Sequence, residues 1–279
     1  VLRECNVQPD VTLGHSLGEF AAASVAGMFT GADAVKLVAA RGRMMNELGL
    51  TDVGAMLAVM ADRAVVERQL EALKLPNLVV ANHNHPTQVV VSGATKSVEA
   101  AKAAFDAAGL KNTKLDVSHA FHSPLMAGMD TRMKAVIAAL PLTSPNAAVV
   151  SCITGKTYDS VGDAKDIWVR HATSPVNFVD AVQTAVDAGV TQFIQVGAGG
   201  ALLSFARGVS PDAVPHALAA ATAARCSSAR SATSGRAARR STRSRSSRRR
   251  SSSRCRPRRS KRRSTGRWNA RRVRPVSRS

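Results

Sequence analysis

Between Arg225 and Ser279 the chain contains no aspartate or glutamate, and that absence locates most of its charge. The 279 residues carry 39 lysines and arginines against 19 acidic residues, a formal net charge of +20. Twenty-two of the basic residues lie in the acid-free stretch, which leaves 17 against all 19 acidic ones before it, a net charge of −2. A strongly basic chain ordinarily points to nucleic acid, but the near-neutral first 224 residues give no such argument. Cysteine is also scarce. Of the four, Cys226 and Cys255 fall in the basic stretch, and Cys5 and Cys152 are too few and too far apart to read as a disulfide framework or a zinc site. A reducing, cytoplasmic setting is therefore expected. No apolar run reads as long enough to span a membrane, and no signal peptide is expected. Val1, inside what reads as the end of a helix, is expected to be a start within a larger domain.

Periodicity divides the first 224 residues into helices and strands. Val11-Thr12-Leu13 reads as a short buried strand, residues 17–26 as a helix of small residues, and residues 30–48 as a second helix with Thr30 and Asp33 in a capping-box-like spacing. Residues 56–60, 63–73, 78–82, 88–92, 97–108 and 114–117 then follow in the order βαββαβ, punctuated by Pro76, Pro86, Gly93 and Gly109. Helices over 125–140, around 166–171, over 178–188 and from Ala201 alternate with strands over 148–153 and 192–196. The expected fold class is α/β, with a mainly parallel sheet core of α/β-hydrolase-like type and an inserted ferredoxin-like subdomain. The domains drawn from this are 1–50 with 119–224 as the core, 51–118 as the subdomain, and 225–279 as an arginine- and serine-rich tail without periodicity, expected to be disordered. The tail reads as a frameshift product of GC-rich coding sequence, with 21 Arg to 1 Lys; a nucleic-acid-binding arm is the alternative.

Three places stand out chemically. Gly14-His15-Ser16-Leu17-Gly18 fits the Gly-x-Ser-x-Gly elbow, in which a strand-to-helix turn presents a nucleophilic serine. The glycines on both sides of the serine are read as relieving clashes, and the helix N-terminus offers free N–H groups to an oxyanion. Such a serine needs a base, and the run from Ser118 to Pro124 offers His119 and His122 in a loop, between which the residues alone do not choose. Arg41 lies within the apolar stripe of its helix, between Leu37 and Val38 on one side and Met44, Met45 and Leu48 on the other. A guanidinium there either snorkels to the edge or meets an anion such as a substrate carboxylate.

Together GHSLGEF at 14–20 with Arg41, ANHNHPTQVVVSG at 81–93, HAFHSPLM at 119–126, WVRHATSPVNF at 168–178 and QVGAGGALL at 195–203 resemble the malonyl-CoA:ACP transacylase family. That family includes the acyltransferase domains of polyketide and fatty-acid synthases, and the resemblance covers residues 1–210. It implies Ser16 as the acylated nucleophile and His122, directly before Ser-Pro-Leu-Met, as the base. It further implies that a main-chain carbonyl, aligned with His171, orients the imidazole in place of a carboxylate. Arg41 would bind the malonyl carboxylate, and the Leu17 N–H would form half of the oxyanion hole. Phe121 would narrow the pocket beside the α-carbon and, with Leu17, favour malonyl over methylmalonyl. The family's Gly-Gln-Gly-Ser-Gln loop, which completes the oxyanion hole, has no counterpart ahead of Val11.

The function so implied is ping-pong transfer of a malonyl group from malonyl-CoA to the phosphopantetheine thiol of an acyl carrier protein. No metal and no bound cofactor are expected, no membrane is involved, and nucleic acid is a partner only if the tail is genuine. The alternatives are a serine hydrolase or thioesterase, which wants an acid between serine and histidine in chain order, and a truncated non-catalytic protein with a nucleic-acid-binding tail.

Overall fold

A computed structural model describes residues 2–217; the expectations for the tail lie outside the described residues. Three small sheets organise them. Strand β1 (Val11–Leu13) pairs in parallel with β6 (Ala148–Val150), and β8 (Gln192–Gln195) pairs in parallel with β9 (Val214–Ala217). The third sheet has the strand order β5-β2-β4-β3-β7, built from β2 (Ala55–Val59), β3 (Leu78–His85), β4 (Gln88–Gly93), β5 (Asn112–Lys114) and β7 (Val176–Asn177). Its first four strands are mutually antiparallel where they pair, and β7 joins β3 in parallel at Asn82 and His83.

Eight α-helices cover these sheets. Helix α1 (Gly18–Val25) follows β1, and its alanines let it approach its neighbours closely. It ends in a Schellman turn, with Gly27 at φ +88° and the Met28 N–H on the Ala23 carbonyl. In α2 (Gly31–Asn46) the Thr30 side chain accepts from the Asp33 N–H at 3.1 Å, so the N-terminus is capped as the sequence spacing suggests. Leu37, Arg41 and Met45 form its buried face at i, i+4 and i+8. With α5 (Gly128–Ala138), α6 (Val161–Val169) and α7 (Phe178–Asp187) these helices enclose a core that includes Phe20, Met28, Met129, Ile137, Trp168 and Phe178. The other helices are α3 (Arg63–Leu73), α4 (Thr95–Ala107) and α8 (Ala201–Val209).

The period of two in β2 divides its contacts. Ala55, Leu57 and Val59 join a core with Val66 of α3 and Phe105 of α4, whereas Met56 and Ala58 face the opposite side, where Phe121 packs. Register shifts in β3 between Val80 and Asn82, and again between His83 and His85, re-aim the strand near the catalytic candidates.

Several boundaries depart from the sequence reading for identifiable reasons. Strand β6 stops at Val150 because the next N–H groups leave the ladder: that of Cys152 donates to the Glu19 side chain at 2.6 Å. Helix α6 starts earlier than expected because Ser160 caps it, accepting from the Asp163 N–H at 3.0 Å. The expected strand over 114–117 is shifted to 112–114, and the two-residue β7 and the Pro215-containing β9 carry no strand signature. No helix among the described residues is long and apolar enough to cross a membrane.

Candidate active site

Strand β1 runs into a sharp turn whose tip is Ser16, at φ +47°. That left-handed conformation is strained for a non-glycine residue and typical of a nucleophile elbow. Gly14 makes the turn possible, because a Cβ there would stand 2.1 Å from the Gly18 backbone. Gly18 has no such need: its own Cβ would meet nothing within 4 Å. The sequence pattern distributes the steric requirement over both glycines; the structure concentrates it on Gly14.

Ser16 Oγ lies 2.7 Å from His122 Nε2. The loop before α5 brings His122 here, while His119 turns away and its Nδ1 meets Ser118 Oγ at 3.1 Å. His122 is itself at φ +59° and buried. Its backbone N–H donates to the Ala172 carbonyl at 3.0 Å, and its Nδ1 donates to the Ser174 carbonyl at 2.8 Å. A carbonyl can only accept, so Nδ1 carries the hydrogen and Nε2 is left free to accept from the serine hydroxyl.

The orienting carbonyl is therefore that of Ser174, not of His171 as the resemblance implied. The Thr173 and Ser174 N–H groups both donate to the Arg170 carbonyl, at 3.2 and 2.9 Å. This tight turn brings the Ala172 and Ser174 carbonyls to His122. The His171 ring instead packs into the core, 4.9 Å from the Phe20 ring and 5.9 Å from that of His122.

Burial pushes the His122 pKa down to about 3, aided by the nearby His171, Arg41 and His15 and opposed by the Ser174 carbonyl. His15 is not a rival base. Its Nε2 meets Asn84 Oδ1 of β3 at 2.7 Å, and its ring packs 5.3 Å from Phe178.

Arg41 is 6% exposed, and its Nε is buried with no hydrogen-bond partner. No carboxylate among the described residues pairs with it. Burial lowers its pKa to about 10, so the guanidinium still carries its charge at neutral pH. An unpaired buried cation is costly, and the arrangement suits an incoming anion. Leu17 is 44% exposed, and its N–H, at the start of α1, makes no hydrogen bond among the described residues. Phe121 is half-buried beside His119.

Behind the elbow lies a group that sequence reasoning missed. Glu19, fully buried in the first turn of α1, accepts from Ser151 Oγ at 3.0 Å, from the Cys152 N–H at 2.6 Å and from the Tyr158 hydroxyl. Trp168 Nε1 in turn donates to that hydroxyl at 2.8 Å. Burial alone would raise the Glu19 pKa, but His171 and these donors hold it below the usual carboxyl value. The available signal was a lone acid on a helix otherwise made of small and apolar residues.

Comparison with known proteins agrees with this geometry. The profile of the acyl transferase domain family matches residues 1–217. Polyketide synthase GfsB of Streptomyces halstedii is 43% identical over 204 residues, which is 72% of this chain and 4% of that synthase. The chain thus spans a small part of the curated relative. The acyltransferase domain from the second module of the salinomycin polyketide synthase superposes with a TM-score of 0.70 at 37% identity, over 77% of this chain and 51% of that one. PlMCAT, the malonyl-transacylase in a complex with the type II polyketide synthase acyl-carrier protein AntF, gives 0.72 at 29% identity, over 75% and 69%. The chain belongs to the acyl transferase domain family, the family of malonyl-CoA:acyl-carrier-protein transacylases and polyketide synthase acyltransferase domains.

Proposed function

We propose that the chain transfers a malonyl group from CoA to the phosphopantetheine thiol of an acyl carrier protein through an ester on Ser16. The observation that carries this reading is the 2.7 Å contact between Ser16 Oγ and a His122 Nε2 whose tautomer is set by the Ser174 carbonyl. The Ser16 oxygen attacks the thioester carbonyl carbon as its proton passes to His122 Nε2. The Leu17 N–H faces the oxyanion that develops. Collapse breaks the carbon–sulfur bond, and the imidazolium returns the proton to the departing CoA sulfur. In the second half the carrier thiol gives its proton to His122 and attacks the seryl ester, which restores the Ser16 hydroxyl. No metal or bound cofactor enters these steps.

Arg41 supports a substrate with a free carboxylate, since its guanidinium has no acidic partner among the described residues and a planar fork binds a carboxylate bidentately. Phe121 supports malonyl over branched extenders, although one methyl in an apolar pocket discriminates only modestly. The carrier protein as partner is supported by the complex of the similar transacylase PlMCAT with its acyl-carrier protein. A hydrolase reading is disfavoured because a carbonyl, not a carboxylate, faces His122 Nδ1.

The test is incubation of the full chain with malonyl-CoA and a holo acyl carrier protein, with malonyl-carrier and free malonate both measured. Malonyl-carrier in excess over malonate supports transfer; malonate with no acylated carrier contradicts it.

A further inference from the structure

The buried group behind the elbow combines three kinds of metal-binding donor. Glu19 from α1, Cys152 after β6 and His171 after α6 each offer one atom, and these atoms lie within 4.8 Å of one another. All three side chains are buried, and Cys152 is a free thiol. Neither ring nitrogen of His171 has a hydrogen-bond partner, although the residue is 1% exposed. A buried imidazole normally finds partners for both nitrogens, so this one calls for a cause. Its Nε2 stands 3.8 Å from Glu19 Oε2, too long for a hydrogen bond. The oxygen, nitrogen and sulfur ligands of one tetrahedral zinc ion, at ordinary bond lengths, stand roughly 3.3–3.6 Å apart, so binding would draw these three atoms slightly closer together.

We propose that Glu19, Cys152 and His171 form a binding site for a divalent transition-metal ion, with zinc the best match to a carboxylate–thiolate–imidazole set. Ser151 and Tyr158 already hold the other carboxylate oxygen of Glu19, an outer shell of the kind that orients metal-ligating carboxylates. On binding, the Cys152 S–H bond breaks, the sulfur bonds to the metal and the proton leaves to solvent. His171 coordinates as neutral imidazole, and Glu19 as carboxylate.

The ion would be inhibitory. The His122 and His171 rings are 5.9 Å apart. His122 and His15, with Arg41 of α2, also face this region. A dication among these groups opposes the positive charge that His122 gains when it takes the Ser16 proton. This consequence rests on the proposed function; the site itself does not.

Cobalt titration of the full chain, stripped of metal by chelator, tests the site without reference to activity. A thiolate-to-cobalt charge-transfer band should appear in the parent and in a Cys226→Ser, Cys255→Ser variant. It should be lost in Cys152→Ser and at least tenfold weaker in His171→Asn. A band indifferent to both Cys152→Ser and His171→Asn overturns the site, as does its absence from the folded parent. If those variants fail to fold, X-ray absorption of the zinc-loaded parent decides: one sulfur with nitrogen and oxygen in the first shell upholds the site, and a shell without sulfur overturns it. If the site holds, zinc should slow Ser16 acylation at least tenfold in the parent; an unchanged rate would refute the inhibitory role alone.

Discussion

His122 donates through Nδ1 to the main-chain carbonyl of Ser174, at 2.8 Å, where a hydrolase triad would place a carboxylate. A backbone carbonyl fixes the tautomer without supplying a full counter-charge. An imidazolium formed in the proposed transfer would therefore be less stabilised than in a triad, and the burden would fall on geometry. That geometry comes from the turn of residues 170–174, which grips His122 at both its backbone N–H and its ring. Thr173 anchors the turn through Asp130, its hydroxyl donating to the carboxylate at 3.0 Å.

Removing the base should cost what general-base catalysis ordinarily supplies. His122→Ala is expected to slow Ser16 acylation by about 10²–10⁴-fold, with far-UV circular dichroism unchanged. A loss of less than tenfold would remove His122 from the role assigned to it.

The buried position of His122 sets a pH profile. Its pKa of about 3 lies below the ordinary imidazole value of 6.5, so Nε2 stays unprotonated through the weakly acidic range. Acylation rates should show no break near pH 6.5 between pH 7.5 and 5. Stability runs the other way. The unfolded chain takes up this proton as pH falls through 6.5, whereas the folded chain resists it until about 3, so acid favours unfolding across that window. A break in the acylation rate near 6.5 would show that the imidazole titrates as if exposed.

Arg41→Ala should separate substrate binding from folding. If the guanidinium meets the malonyl carboxylate, its loss should reduce kcat/KM for malonyl-CoA by about 10²-fold, as when one partner of a buried charge pair is truncated. Acetyl-CoA, which has no such carboxylate, should lose little. Thermal stability should not fall much, because the unpaired buried Nε is itself unfavourable. Equal losses for both substrates would contradict the assignment.

The two elbow glycines should behave differently. Gly14→Ala places a Cβ 2.1 Å from the Gly18 backbone, and the turn cannot form without moving the nucleophile. The expected outcome is loss of soluble protein, or a drop of more than about 3 kcal/mol in urea unfolding. Gly18→Ala meets nothing within 4 Å, lies at a helix start and should stay within about 1 kcal/mol of the parent. Similar behaviour of the two variants would contradict the geometry described.

Much of this was legible locally. Gly14 to Gly18 mark a strand-to-helix turn by spacing alone, Thr30 and Asp33 mark a cap, and Arg41 announces itself as a charge within an apolar stripe. The order of elements from β2 to β5 follows from hydrophobic runs between prolines and glycines. What escaped was long-range. The N–H of Cys152 meets Glu19 across 133 positions and Ser174 meets His122 across 52, and no local pattern encodes such pairings. Cysteine spacing gave no hint that Cys152 would stand beside His171, because their meeting depends on how β6 and α6 pack. Strand β7, two residues long, exists only because β3 offers it an edge.

The most direct test of the central claim is intact-protein mass after brief exposure of the full chain to malonyl-CoA, beside a Ser16→Ala control. A single malonyl adduct on the parent and none on the control is the predicted result. An adduct on both proteins, or none on a folded parent, would contradict the seryl-ester mechanism in this chain.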